Sequence, residues 1–209
     1  MRVTSDLPNS SRREHELLVA KKLHHMGRLL EAQAIYERLL ANNPNDAELL
    51  NLYGISQLQR RNLDAAEKTL HHLTEVYPCF SKGHINLANV LMEKGDLDQA
   101  TIHFKIAIQI EPSNPAPCYN LGLLLAKKKD YPGALENFST ALSFAPDDPE
   151  LNVCCGTILL KLDRPAEALS LFDHVLHLTA EHPQALMNRG IALQELRRPQ
   201  EALASHDKA

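Results

Sequence analysis

Eleven histidines and four cysteines (Cys79, Cys118, Cys154 and Cys155) are the side chains of this 209-residue chain best suited to ligate a metal or attack a substrate. His174 and His177 are three residues apart and share a face if their segment is helical. His24-His25 and His71-His72 are adjacent, so the members of each pair point apart. A metal centre needs three or four convergent ligands, and neither a cysteine nor a carboxylate accompanies these histidines at a suitable spacing. They read as surface histidines, and no metal or other cofactor is expected. Cys154-Cys155 lacks the two-residue spacer of a redox pair, and Cys155 is expected to be a buried, inert small hydrophobe. Phosphate-cradling, dinucleotide-binding, serine-nucleophile and zinc-protease motifs are all missing. Glu31, Asp64, Asp98 and Glu167 fall in expected helix first turns or on outer faces, where the helix dipole favours negative charge. The run Lys127-Lys128-Lys129-Asp130 reads as a solvated helix end. No catalytic residue can be nominated, so the chain is not expected to be an enzyme.

Composition narrows the partners further. The formal net charge of −4 argues against a dedicated nucleic-acid binder, which needs a cationic surplus. No apolar run approaches the roughly 20 residues that cross a bilayer, and the opening MRVTSDLPNSSRRE has no apolar signal core. Four cysteines in a chain of this size do not form a disulfide framework, so a reducing, cytoplasmic setting is expected.

The elements that must position any functional side chain follow from an internal period. Pro44, Pro78, Pro112 and Pro146 are 34 residues apart. Ala32, Ala66, Ala100, Ala134, Ala168 and Ala202 keep the same interval, as do the small residues Ala20, Gly54, Ala88, Gly122, Gly156 and Gly190. A large residue follows each alanine by four: Tyr36, Leu70, Phe104, Phe138, Phe172 and His206. With position 1 at Arg13, the units are 13–46, 47–80, 81–114, 115–148, 149–182 and a truncated 183–209, after a polar N-terminal tail over 1–12. Each unit reads as two helices, A and B, because apolar residues recur at three- and four-residue spacing, as in Leu87, Leu91 and Met92 or Ala100, Phe104, Ala107 and Ile108. Pro115, Pro149 and Pro183 open helix A, and Pro132, Pro165 and Pro199 open helix B, where a missing N–H does no harm. Gly27 and Gly95 are placed in the A–B turn, where positive φ is needed. Small position 8 is expected to face the alanine at position 20 across a close helix pair. Position 24 is expected to fill the seam to the next unit. No segment alternates with period two, so no strand is expected.

A 34-residue helix–turn–helix with Gly/Ala, Ala, Phe/Tyr and Pro at these spacings resembles the tetratricopeptide repeat, best in Asn120-Leu121-Gly122, Ala134, Phe138, Ala141 and Pro146. Arg189 and Ala180 depart from the pattern, where leucine and proline are usual. The resemblance implies an all-α, right-handed superhelical solenoid whose A helices line a concave groove with positions 2, 5, 6, 9, 12 and 13. The residues then expected to bind a ligand are Asn51, Lys82, Ile85, Asn86, Asn89, Tyr119, Asn120, Leu123 and Asn188. A primary amide donates and accepts at once, so a column of asparagines can pair with an extended peptide backbone while aliphatic neighbours touch its side chains. Alternatively, these asparagines tie adjacent helices together. A similar column occurs in arrays attached to protein O-linked N-acetylglucosamine transferases. The lysine-at-position-5 clamp with which some family members hold a terminal carboxylate is missing, since Lys82 stands alone at position 2.

Three functions are compatible with this pattern: a non-catalytic scaffold gripping an extended peptide or protein segment, the substrate-presenting part of a larger glycosyltransferase, or a self-association module. Because the sixth unit breaks off inside helix B at His206-Asp207-Lys208-Ala209, the chain is expected to be the amino-terminal piece of a longer protein, with an uncapped end available for self-association.

Overall fold

The computed structural model describes residues 9–209, which form twelve α-helices and no strand among the described residues. They are α1 (Asn9–His25), α2 (Leu29–Asn42), α3 (Ala47–Gln59), α4 (Leu63–Val76), α5 (Ser81–Lys94) and α6 (Leu97–Ile110), then α7 (Pro115–Lys127), α8 (Tyr131–Phe144), α9 (Pro149–Lys161), α10 (Pro165–Leu178), α11 (Pro183–Glu195) and α12 (Pro199–His206). Odd-numbered helices are A helices and even-numbered ones are B helices. The helices fall into two compact units, one ending at Ile110 and one spanning Glu111–Ala209, each a stack of three helix pairs. Residues 9–12, at the end of the polar tail expected over 1–12, are helical and open α1. Residues 1–8 of that tail lie outside the described residues.

Helix starts are set chemically. The carboxylates of Asp46 and Asp148 accept the Leu49 and Leu151 N–H at 3.0 Å, and Asn114 accepts the Ala116 N–H at 3.0 Å, satisfying donors that the first turn leaves free. His182 does the same for the Ala185 N–H through Nδ1 at 3.3 Å. Prolines follow the last three of these caps directly, at Pro115, Pro149 and Pro183. Helix ends repeat as well. At each A–B turn an N–H reaches back to the carbonyl five residues earlier, as from Asp130 to Leu125 and from Arg164 to Leu159, both at 2.9 Å. This closure requires one left-handed residue.

That left-handed residue recurs every 34 positions: Gly27 (φ 74°), Arg61 (61°), Gly95 (88°), Lys129 (63°), Asp163 (58°) and Arg197 (58°). Only two of the six are glycine, because the tertiary position of the turn, and not the residue in it, dictates the conformation. A side chain in this region costs about 1–2 kcal/mol, and glycine gives back about 0.5–1 kcal/mol of that in unfolded-state entropy. Lys129→Gly and Arg197→Gly are each expected to stabilise the second unit by about 0.5–1 kcal/mol. The check is a higher urea midpoint with an unchanged slope.

The core of each unit is built from the ladders. Tyr36, Leu70 and Phe104 in the first unit and Phe138 and Phe172 in the second are almost wholly buried, as are Ala66, Ala100, Ala134 and Ala168. The structure adds a second neighbour to the small position. A Cβ placed on Gly122 would lie 2.7 Å from Phe138 Cε1, and one on Gly156 would lie 2.6 Å from Phe172 Cε1. A Cβ on Gly54 would lie 2.6 Å from Leu70 Cγ, and one on Gly190 would run into the His206 ring. Position 8 is therefore kept small by position 24 of its own unit, which folds across it. Position 24 fills the interior of its own helix pair before it reaches any seam.

Candidate functional site

In each unit two of the three A helices pack directly on one another. α3 packs on α5 and α9 on α11, whereas no two B helices of a unit pack together to the same degree. A stack that is tight along A and open along B bends with its A helices inside. The inward surface therefore carries positions 5, 6 and 9 of the A helices, where most of the candidate residues stand.

In the first unit, Asn51 is buried on α3 and its Oδ1 accepts a hydrogen bond from Asn86 Nδ2 on α5 at 2.7 Å. This pair is an internal tie between neighbouring A helices and leaves Asn86 one N–H and its carbonyl for a ligand. Asn89, one turn further along α5, is half-buried and makes no side-chain hydrogen bond among the described residues. Ile85 is half-buried beside it and Lys82 is exposed near the start of α5. Between α1 and α3 lies a cavity of about 400 Å³, lined by Lys21, His24, His25, Tyr36, Leu52, Ile55 and Gln59. Its floor is ordered: the His24 ring bridges Tyr36 Oη at 3.2 Å and Gln59 Oε1 at 3.0 Å. Burial pushes the Tyr36 phenol up to about 12 and holds the His24 pKa below its ordinary value, so both stay neutral at pH 7. Lys21 at the rim is bonded to Glu48.

The second unit repeats the arrangement with other atoms. Cys154 on α9 directs its thiol at Tyr119 Oη on α7, 4.0 Å away, from the same two repeat positions that Asn86 and Asn51 occupy. Asn188 Nδ2 on α11 donates to Thr157 Oγ1 on α9 at 3.1 Å. Tyr119 also tilts against Phe138, with ring centres 5.9 Å apart. Burial raises the pKa of Tyr119, Cys154 and Cys155, so neither thiol is an activated nucleophile. Asn120 is half-buried and its amide has no hydrogen-bond partner among the described residues. Leu123 is half-buried one turn below, while Met187 and Ile191 on α11 present apolar surface to solvent.

The candidate residues thus divide. Asn51, Asn86 and Asn188 are engaged with neighbours, whereas Asn89 and Asn120 hold unspent amides. Residue type alone could not separate the two groups, because whether an asparagine meets a partner depends on the residue one repeat earlier. The cavity at His24, Leu52 and Ile55 could not be read from the asparagine column; its signal was the aliphatic pair Leu52 and Ile55 at positions 6 and 9 of the second repeat. Arg189, where leucine was expected, bridges Asp173 Oδ1 and Ser205 Oγ at 2.6 Å each and so pins α11 to α10 and α12 by hydrogen bonds. Among the described residues no three metal-capable side chains converge, and no helix is long and apolar enough to cross a membrane.

Four family models match the sequence: tetratricopeptide repeat models over residues 23–79, 115–148 and 156–209, and a TPR repeat model over 88–129. No curated protein matches the sequence. Many solved structures share the fold. PilF of Pseudomonas aeruginosa is similar with a TM-score of 0.82 at 15% identity, over 92% of this chain and 88% of its own. YrrB, described as a TPR protein with an unusual peptide-binding site, gives 0.70 at 22% identity, over 83% of this chain and 89% of its own. TTC0263, a thermophilic TPR protein of Thermus thermophilus, gives 0.67 at 23% identity, over 92% of this chain and 99% of its own. Repeat period, helix pairing, buried ladder and matched models coincide along most of the sequence, and the chain belongs to the tetratricopeptide repeat family.

Proposed function

We propose that the chain is a non-catalytic protein-interaction scaffold whose A-helix faces bind an extended peptide or protein segment. The observation that carries this is the pair of half-buried, unpartnered amides, Asn89 in the first unit and Asn120 in the second, each flanked by aliphatic surface. Such an amide can satisfy a peptide N–H and C=O together, independent of the peptide's side chains. Ile85 next to Asn89, and Leu123 and Tyr119 next to Asn120, supply apolar contact. That YrrB is described as having a peptide-binding site adds support from a protein of the same fold. Presentation of substrates to a glycosyltransferase takes its residue-level support from the asparagine column. Two of its members, Asn86 and Asn188, already bond to neighbouring helices, so this reading is less favoured.

The test uses peptides selected from a random display library on the full chain. Asn89→Ala and Asn120→Ala are each expected to weaken the peptides that depend on them by about 1–3 kcal/mol, because a peptide backbone group is left unpaired in the complex. The melting curve should not move, since neither amide bonds within the fold. Asn86→Ala serves as a contrast and should lower stability by stranding Asn51. Affinity unchanged in both Asn89→Ala and Asn120→Ala, with the fold intact, would count against the A-helix face as the binding surface.

A further inference from the structure

Position 11 of the A helix holds leucine in five repeats, Leu23, Leu91, Leu125, Leu159 and Leu193, and glutamine in one, Gln57. Gln57 is only 6% exposed, and its Oε1 is buried without a hydrogen-bond partner among the described residues. A buried acceptor left unpaired costs the fold stability that a leucine would not. A neighbour fixes the orientation of the amide. Tyr53, one turn earlier on α3, donates its hydroxyl proton to Glu37 Oε1 on α2 at 2.5 Å, since a carboxylate can only accept. The Tyr53 oxygen is then free to accept from the Gln57 amide N–H, and the amide oxygen is the atom left over.

Gln57 and Tyr53 line a groove of about 550 Å³ between α2 and α4, floored by α3. Leu40, Pro44, Leu50 and Ala65 give it aliphatic surface. Its two walls carry opposite charges. Glu37 on α2 is exposed, and its carboxylate meets the Tyr53 hydroxyl but no cation among the described residues. Lys68 on α4 is exposed and forms no ion pair among the described residues. His72, one turn further along α4, is bonded to Asn45 Oδ1 at 2.9 Å. The groove thus offers two acceptors linked through Tyr53, an aliphatic bed and one cation on the opposite wall.

We propose that this groove takes the side chain of an arginine carried by a partner protein segment, its guanidinium donating to Glu37 and to Gln57 Oε1. A guanidinium presents five N–H donors in a planar fork and is weakly hydrated for a cation, so it can serve two acceptors at once in a partly apolar groove. An ammonium is a compact, strongly hydrated point charge and fits less well. The methylenes of the arginine stem cover the aliphatic bed. The terminal torsion of a glutamine is broad, so a small rotation brings Oε1 to the entering donor. Lys68 disfavours a polybasic segment and favours one with an acid near the arginine. A phosphate-bearing ligand is repelled by Glu37 and offers Gln57 no donor. The groove opens between B helices and shares no residue with the A-helix binding face, so it stands or falls independently of that reading.

Selection of a random peptide display library on the full chain, with counter-selection on Gln57→Leu, tests the proposal. The recovered peptides should share an arginine. Replacing it by citrulline, lysine or norleucine should weaken binding about tenfold or more, as should Glu37→Gln in the protein. Binding should move the side-chain NH₂ signals of Gln57 in the ¹⁵N-labelled chain. Gln57→Leu itself should fold with a higher urea midpoint than the native chain, because it removes the orphaned oxygen and restores the residue of the other five repeats. Stability gained as binding is lost is the mark of a residue kept for a ligand. Should Gln57→Leu fail to fold, Glu37→Gln takes its place in the counter-selection, and the same peptides are expected. Recovery of no peptide that distinguishes the native chain from the variant overturns the proposal. So do peptides without a shared arginine, affinity that survives norleucine in its place, or Gln57 NH₂ signals unmoved at saturation. An unchanged midpoint together with unchanged peptide binding in Gln57→Leu would assign Gln57 to the fold alone and would also overturn it.

Discussion

Replacing Gly122 by leucine is expected to destabilise the second unit by about 2–4 kcal/mol. Even a bare Cβ at this site would stand 2.7–3.0 Å from three atoms of the Phe138 ring. The ring cannot simply swing aside, because it is 1% exposed and has Tyr119 tilted against it. The remaining atoms of a leucine side chain would have to push α7 away from α8. Damage should spread to the neighbouring pair, since stacked repeats are stabilised chiefly by their immediate neighbours. Ala134→Phe, at another fully buried ladder position, should cost a similar amount. Phe138→Ala alone should cost about 3–5 kcal/mol through the cavity it leaves. Combined with Gly122→Leu it should cost less than the sum of the two by 1 kcal/mol or more, roughly the coupling of residues in contact. Urea midpoints of the two single variants and the double variant measure this. A Gly122→Leu midpoint equal to that of the native chain would show that positions 8 and 24 do not oppose each other.

The second large effect is acid-driven and belongs to the first unit. His84 on α5 is buried, and its Nε2 lies 3.0 Å from the Pro78 carbonyl, which can only accept. Nε2 therefore carries a proton, and Nδ1 of the same ring faces His103 Nδ1 on α6 at 3.0 Å. A proton on the outer nitrogen of His103 would leave a cation stacked on the His84 ring, whose centre is 5.2 Å away. Burial first, then His84, then His71 on α4, push the His103 pKa down to about 4 from an ordinary 6.5. The unfolded chain takes up this proton as pH falls below about 6.5, while the folded chain refuses it until about 4. The associated stability is thus complete above that range and is lost as pH drops through it. Between pH 7 and 4.5 the loss attributable to His103 should be about 2–3 kcal/mol. The measurement is the difference in urea stability between the native chain and His103→Gln at the two pH values, which cancels the titration of groups not coupled to His103. A difference that does not change with pH would show that His103 has no part in the acid response.

The ladders made the fold legible. A period of 34 that recurs in alanine, glycine, proline and aromatic residues can be satisfied only by identical units that stack, and the observed helices open at Ala47, Ser81, Pro115, Pro149 and Pro183, on that period. What stayed hidden depended on which atoms meet in space. The left-handed turn at Arg61, Lys129, Asp163 and Arg197 carries no residue signature, because the hydrogen-bonded closure of the turn overrides the preference of the side chain. The close approach of Gly122 to the Phe138 ring follows from the direction in which a helical side chain leans, which spacing alone does not resolve. For the site, the register identified the face but not the availability of each group. Asn51 and Asn86 bond to each other, while Asn89 and Asn120, of the same type and in neighbouring positions, have no side-chain partner among the described residues. His84 and His103 lie 19 residues apart and were unremarkable among eleven histidines until the α5–α6 pairing brought them together.

Whether partners are gripped on the A-helix faces decides the functional reading, and side-chain amide NMR addresses it at the atoms concerned. The chain, labelled with ¹⁵N, is titrated with peptides selected from a random library. Gripping on these faces should shift the NH₂ resonances of Asn89 or Asn120 on binding, together with backbone signals along α5 or α7, while those of α6 and α8 stay in place. Shifts confined to the B helices, with both asparagine side chains unmoved at saturation, would contradict it.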